Sequence, residues 1–384
     1  MKVLHVLEAT SGGTRRHILD LLPALQVRGV WCDLVASPLR TSAFGSDAGW
    51  LRARGVRVFE VPMARGFSPA GDATALRQLA THLRQQRYDV IHCHSTKAGL
   101  LGRLARLSVS RRTPLVYTPH CIAFDTGLPH RQRRAARWME ALLAPLTSHF
   151  IAVSQHENRT LRRAGLCATD RVSTIHNGVD IEGFDALPSL ERAALGLHDS
   201  DFVIGCFGRL TRQKNQGALL RALPQVLEAV PRARLLLVGS GEDETTLRAL
   251  AQQLGVAECI TWTGEVSEAR PLYALCDVVA QPSRWEGFPY TILEAMAARR
   301  VVVARDVGGV GEILNDVSGV AYKPHRHAEI QQLGQAITEA AHDTDWRHSA
   351  ETNARQRVEE NFTLNRMVQQ TIGVYERSAA SVLH

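Results

Sequence analysis

Short runs of aliphatic and β-branched residues alternate with longer stretches of helical period from the start of the chain. In the first half the runs are Val3–Leu7, Cys32–Ala36, Val90–His92, Leu115–Tyr117 and Phe150–Val153. Between them, apolar residues recur every three or four positions from about Thr14 and over about 75–87, 97–107 and 131–143. The short runs predict strands buried on both faces, and the periodic stretches predict helices packed on them. Pro23 is expected to kink the first helix, because its ring crowds the carbonyl one turn back. A second series follows Asn177-Gly178-Val179-Asp180 and a loose stretch through Pro188. Its strands are predicted at Val203–Phe207, Leu235–Val238, Ile260–Thr263, Val278–Ala280, Val301–Ala304 and Val320–Tyr322. Helices are predicted at about 215–230, 242–254, 268–276 and 291–298, with a helical tail over about 328–380. Repeated strand and helix imply parallel sheets covered on both faces, so the pattern predicts an α/β chain of two doubly wound units. Ligands of such sheets bind beyond the carboxyl ends of the strands, and a cleft between the two units is the expected site.

Length and composition fit this picture. A chain of 384 residues suits two domains of ordinary size, and 45% hydrophobic with 22% charged residues exclude a disordered chain. The first residues, Met1 to Glu8, are too short and too soon interrupted by charge for a secretory signal, and no apolar run approaches the ~18 residues of a membrane span. A cytoplasmic protein is expected. Seven scattered cysteines without a CxxC pair are read as reduced, mostly buried thiols. The net charge of +7 comes from arginine, concentrated at Arg103, Arg106, Arg111, Arg112, Arg131, Arg133, Arg134 and Arg137. Such a face suits phosphates or the inner surface of an anionic membrane, and it equally suits plain solvation. Nucleic acid is not an expected partner, since no binding module accompanies the charge.

Five strand ends carry chemistry. Ser11-Gly12-Gly13-Thr14 opens the first helix, where free backbone N–H groups and the helix dipole receive an anion; a plain turn remains the alternative. Gly208 to Asn215 holds Arg209 and Lys214, a planar fork and a point charge suited together to a diphosphate. Cations before a helix N-terminus oppose its dipole, which favours a functional reading over a solvated one. Gly239-Ser240-Gly241 and Thr263-Gly264-Glu265-Val266 are turns at the same edge, each either offering backbone groups to a nucleotide base or serving only as a turn. The segment Pro282 to Ala297 is the most informative. It turns through Gly287, Phe288 and Pro289 into an apolar helix, setting Glu286 on the turn and Glu294 in the helix. A carboxylate accepts two vicinal sugar hydroxyls, which suits both residues to a ribose or a pyranose. Thr291 and Glu294 also fit a capping box, so Glu294 as a mere helix cap stays open.

With these pieces in place the chain resembles glycosyltransferase family 4 along nearly its whole length. The matching motifs run in the family's order: Gly12-Gly13, Thr118-Pro119-His120, Val153-Ser154, Asn177-Gly178-Val179-Asp180, Gly208-Arg209 with Lys214, Gly239-Ser240-Gly241, Glu286-Gly287-Phe288 with Glu294-Ala295-Met296-Ala297, and Val307-Gly308-Gly309 with Glu312. Gly311 departs from the pattern, which often has proline there. The resemblance implies the GT-B fold, two Rossmann-like domains with parallel sheets facing an interdomain cleft. An acceptor-side domain is expected over 1–180, a donor-binding domain over 181–362, and a terminal helix, 363–384, packing back on the first.

The resemblance further implies a hexosyltransferase that retains configuration, takes a UDP- or GDP-sugar and needs neither metal nor other cofactor. Its acceptor is expected to be a glycan or a polyprenyl-linked sugar of exopolysaccharide assembly. Arg209 and Lys214 are expected to neutralise the donor diphosphate, with Gly12 and Gly13 packed against it. Glu294 would bind the ribose, Glu286 the donor sugar, and His120 would lie beside the reacting centre. Arg131, Arg133, Arg134 and Arg137 would offer an anionic membrane a docking face. Two rivals are a nucleotide-sugar epimerase or hydrolase on the same fold and a catalytically silent nucleotide-sugar-binding protein. Two patterns invite a metal reading and are set aside. His92 and His94 share one face of a strand while Cys93 points away, and Asp343-Thr344-Asp345 is expected to cap a helix before Trp346.

Overall fold

The computed structural model describes residues 1–109, 113–188, 190–315, 318–323 and 328–381; Arg111 and Arg112 lie outside them. The chain divides into two compact units, residues 1–177 with 364–384, and residues 178–363. Both are α/β layers with a parallel sheet.

The first sheet contains β1 (Lys2–Leu7), β2 (Trp31–Ala36), β3 (Arg57–Glu60), β4 (Val90–His94), β5 (Leu115–Thr118), β6 (His149–Ala152) and β7 (Val172–Thr174). Its order is β3-β2-β1-β4-β5-β6-β7, parallel throughout. Strand periodicity divides the core between the two faces. Leu4 and Val6 pack with Leu79 and Leu101 on one side. Val3 and Leu7 pack with Ile18, Leu22, Met367 and Val374 on the other. The last two belong to the helix Leu364–Ala380, so residues far along the chain complete the first unit's core.

The second sheet contains β8 (Phe202–Phe207), β9 (Ala233–Val238), β10 (Ile260–Gly264), β11 (Val278–Gln281), β12 (Val301–Arg305) and β13 (Gly319–Tyr322). Its order is β10-β9-β8-β11-β12-β13, again parallel. In each sheet the order reverses once, between β1 and β4 and between β8 and β11. Adjacent loops diverge at such a switch point and leave a crevice at the carboxyl edge.

Local departures from the sequence pattern have simple causes. The helix Gly12–Val27 contains Pro23 and continues about one turn beyond it. The helix expected over 268–276 shrinks to the single turn Arg270–Tyr273, with Pro271 in its first positions. The tail is three helices, Glu329–His342, Thr344–Asn361 and Leu364–Ala380. Asp343 caps the second of them, its carboxylate accepting from the backbone N–H of Trp346 at 2.9 Å.

Candidate functional site

At the switch point of the second sheet the loops leaving β8 and β11 are tied together. Asn215 takes a left-handed backbone, φ 56°, just before the helix Gln216–Ala229. Its Nδ2 donates to the carbonyl of Pro282 at 3.1 Å, and its Oδ1 accepts from Arg284 at 3.0 Å. Gln213 adds a bond from Nε2 to the carbonyl of Trp285 at 3.1 Å, and its own carbonyl accepts from the Arg284 N–H at 2.8 Å. These bonds bring Lys214 to Glu286: Nζ lies 2.7 Å from Oε1, with the Glu286 side chain 7% exposed. Gln281 Nε2 donates to the same oxygen at 3.1 Å and is itself held by the Thr291 hydroxyl. The ammonium has three donors and one is committed to Glu286, leaving two for a ligand.

Close backbone approach shapes the rest of this edge. A Cβ on Gly308 would stand 1.8 Å from the carbonyl oxygen of Glu286, and Gly308 has φ 57°. Only glycine meets both demands. Gly309 donates to the carbonyl of Gly287 at 3.0 Å, so the Val307-Gly308-Gly309 turn braces the loop that carries Glu286. Likewise a Cβ on Gly239 would lie 2.3 Å from the Gly208 carbonyl, which brings the loops after β8 and β9 into contact. Arg209 is half-buried beside them, and Val266 is half-buried beyond β10.

Glu294 lies in the helix Tyr290–Ala297 but does not cap it. The cap position is Pro289, and the Thr291 hydroxyl is turned to Gln281. Glu294 is 8% exposed and its Oε2 accepts from the Tyr273 hydroxyl at 3.0 Å. Tyr273 stacks on Phe207 at 3.8 Å. Gly287 and Phe288 are buried at the entrance of the same helix. Glu286, Lys214 and Gln281 thus form one polar group in the loop before the helix, and Glu294 a second one inside the helix Tyr290–Ala297.

The first unit concentrates histidines at its switch point. Register places His5 of β1 beside His92 of β4, and His94 beside Thr118 of β5. His120 follows β5 with φ 60°, and His17 lies in the helix Gly12–Val27. His5 Nδ1 and His94 Nε2 are 3.0 Å apart, as are His94 Nδ1 and His120 Nε2. His92 pairs through Nδ1 with the Tyr375 hydroxyl at 2.6 Å and through Nε2 with Thr118 at 2.8 Å. His17 meets the His120 ring edge-on at 4.5 Å. Burial holds His5 down at about 3 and His17 at about 4, and drives His92, His94 and His120 well below the usual imidazole range. The cluster is therefore neutral at physiological pH.

Ring nitrogens of His5, His92 and His94, and of His17, His94 and His120, lie within 4.8 Å of one another, near enough to be weighed as metal ligands. The 3.0 Å pairs within them are hydrogen-bond distances. Cys93 faces away, toward Gly102 of the helix Thr96–Arg106. Gly12, with φ 65°, and Gly13 are exposed at the start of the first helix. His5 and His17 escaped the sequence reading, because only strand order brings them to His92 and His94. A doubly wound order, with the first strand beside the fourth, is the signal that finds them.

The arginines at 131–137 lie on the helix His130–Leu143, which is anchored by one side only. Its Glu140 is buried, 2.9 Å from the Arg103 guanidinium and 3.1 Å from the Tyr117 hydroxyl. Arg131, Arg134, Trp138 and Leu142 follow one another at helical spacing on the outer face. Trp138 is 73% and Leu142 79% exposed. Among the described residues no helix is long and apolar enough to cross a membrane.

Comparisons with known proteins point to one family. Residues 11–182 match the model for "Glycosyltransferase Family 4" and residues 189–357 that for "Glycosyl transferases group 1". An uncharacterised glycosyltransferase of Methanocaldococcus jannaschii is 32% identical over 300 residues, covering 76% of this chain and 75% of its own. The Escherichia coli UDP-Gal:α-D-GlcNAc-diphosphoundecaprenol α-1,3-galactosyltransferase is 29% identical over 261 residues, 66% and 67% of the two chains. Among solved structures, Anabaena HepE in complex with UDP and glucose superposes with a TM-score of 0.82 at 25% identity, over 98% of this chain and 100% of that one.

Proposed function

The chain belongs to the family 4 glycosyltransferases, and from that premise we propose that it transfers a hexose from a UDP-sugar to a lipid-linked or glycan acceptor, with retention at the anomeric carbon. The observation that carries this reading is the Lys214–Glu286 pair at the second sheet's switch point, beside the N-terminus of the helix Tyr290–Ala297. A nucleotide sugar needs three kinds of group there: a cation for the diphosphate, a carboxylate for sugar hydroxyls and a second carboxylate for the ribose. Lys214 with Arg209, Glu286 and Glu294 supply them. UDP and glucose are what HepE holds in its crystal, and the E. coli relative is named for UDP-galactose and a diphosphoundecaprenol acceptor.

In this reaction the bond from the anomeric carbon to the diphosphate breaks, and the acceptor oxygen bonds to the face that the phosphate leaves. The acceptor proton passes to the departing diphosphate. Arg209 and Lys214 stabilise the charge that develops on it, a contribution of several kcal/mol from preorganised groups of this kind. That role leaves no need for a metal. His120 contributes a ring nitrogen to the sugar, and Gly12 with Gly13 offer backbone N–H groups to phosphate oxygens. A thermal-shift panel of nucleotide sugars tests the reading. At a hundredfold excess over Kd a ligand stabilises the native state by about 2.7 kcal/mol, so one UDP-sugar is expected to raise the Tm by several degrees, and Lys214→Met to remove the rise. A panel in which no nucleotide sugar moves the wild-type Tm would sink the proposal.

The outer face of the helix His130–Leu143 supports a peripheral membrane location. Arginine beside exposed tryptophan and leucine is the composition of a helix lying in a bilayer interface, and basic residues near an anionic surface contribute about 1 kcal/mol each. The protein is expected to co-float with vesicles containing phosphatidylglycerol. Trp138→Ser with Leu142→Ser is expected to reduce the bound fraction at least tenfold. Equal recovery of the double variant and the wild type with those vesicles would refute this location.

A further inference from the structure

The histidines of the first unit form a directed chain, and its direction decides what His120 can do. A neutral imidazole carries one N–H and one lone pair, so each ring in a row of two hydrogen bonds must accept at one nitrogen and donate at the other. His94 is in that position, with His5 at its Nε2 and His120 at its Nδ1. Two arrangements satisfy the row. Either His5 Nδ1–H donates to His94 and His94 Nδ1–H to His120 Nε2, or both bonds point the opposite way.

The inner end of the row breaks the tie. Among the described residues, His5 Nε2 is buried without a hydrogen-bond partner. In the first arrangement this orphan is a lone pair, in the second an N–H. An orphaned buried N–H is the rarer and costlier of the two. The neighbouring ring does not compete for the row, because His92 is already engaged on both sides by Tyr375 and Thr118. His120 in turn is held by the left-handed backbone that turns it back to His94.

We propose that His5 and His94 are positioning residues that fix His120 as the tautomer with its proton on Nδ1, so that it meets its ligand as a hydrogen-bond donor and not as a base. A donor at this place serves an oxygen, either a sugar hydroxyl oxygen or a phosphate oxygen. It takes no proton from the acceptor, which leaves that proton to the departing diphosphate. The suggestion about the ligand rests on the transferase reading, whereas the tautomer does not.

The test is an imidazole nitrogen spectrum of the full chain labelled with 15N-histidine, at pH 7.5, with His120 assigned by loss of its signals in His120→Phe. The expected result is a protonated-type shift at Nδ1 of His120 and an unprotonated-type shift at Nε2. A proton on Nε2, a charged ring, or signals that move when a chelator is added, as they would if a metal occupied the cluster, would each overturn the proposal. A kinetic arm reads the consequence. His5→Leu removes the donor at the head of the row and is expected to lower kcat about tenfold with little change in donor KM. His5→Asn, whose amide stands where Nδ1 was, is expected to restore most of the loss. Equal rates for His5→Leu and the wild type would overturn the positioning role. Should no nucleotide sugar bind, the wild-type spectrum still decides the tautomer.

Discussion

Glu286→Gln is expected to lower sugar transfer by about 10²- to 10³-fold, the range seen when one preorganised electrostatic group is removed. The exchange keeps the size of the side chain and removes its charge. In the wild type, Oε1 receives both the Lys214 ammonium and the Gln281 amide, at 2.7 and 3.1 Å. An amide at position 286 can turn its one oxygen to both donors, while its NH2 takes the place of the other carboxylate oxygen. Lys214 then keeps only a neutral acceptor in place of an ion pair, and hydroxyls of the sugar lose a charged acceptor. Some stability goes as well, on the order of 2 kcal/mol for a charged hydrogen bond in a mostly buried setting. Rates of transfer should therefore be read beside the Tm and the donor KM of the same variant. Wild-type turnover in Glu286→Gln would remove this residue from the site.

Mild acid is expected to unfold the protein more steeply than it would an ordinary α/β chain. Burial depresses five clustered rings, His5 to about 3, His17 to about 4, and His92, His94 and His120 well below the usual range. His149 is held at about 4, again chiefly by burial, with Arg377 and Arg171 adding to it. The unfolded chain binds protons at these histidines as pH drops below about 6.5, while the folded chain does not until about 4 or lower. Their contribution to stability is thus fully present above 6.5 and is lost as pH falls through that window. Each proton taken up only by the unfolded state changes stability by about 1.4 kcal/mol per pH unit, and five together set a ceiling of roughly 7 kcal/mol per unit. Against a total of about 5–15 kcal/mol for a typical domain, loss of structure near pH 5 is expected. Denaturant titrations at pH 7.5, 6.5, 6.0 and 5.5 measure the slope directly. A midpoint unchanged between pH 7.5 and 5.5 would contradict the buried, neutral cluster.

Much of the architecture was legible because parallel strands buried on both faces are nearly continuous aliphatic runs. Leu235–Val238 and Val301–Ala304 could hardly be anything else. A strand with charged, exposed residues at two of its four positions, as β3 has in Arg57 and Glu60, gives no such run and was missed. β7 is only three residues long and was missed for that reason. The helices Phe44–Arg52 and Gln155–Arg163 hide for a related cause, since few of their residues are buried.

At the site, sequence spacing named Lys214 and Glu286 separately, but their pairing depends on β8 and β11 being neighbours, which is a fact of topology. The Thr291–Glu294 spacing suggested a capping box. Pro289 at the cap position and Gln281 beneath Thr291 redirect both side chains, and no local rule contains that information. The same holds for His5, an unremarkable strand residue until the fourth strand is laid beside the first.

The helix Leu364–Ala380 also bears on how the protein is made. It supplies Met367, Val368, Val374 and Tyr375 to the core of the first unit, and Tyr375 closes the contact with His92. During translation that core waits, unfinished, while the entire second unit is synthesised. Residues 178–363 can fold as they emerge, whereas residues 1–177 lack the part of their core that this helix supplies until the ribosome has passed position 375. The interval is the one in which a nascent chain of this design depends most on a chaperone.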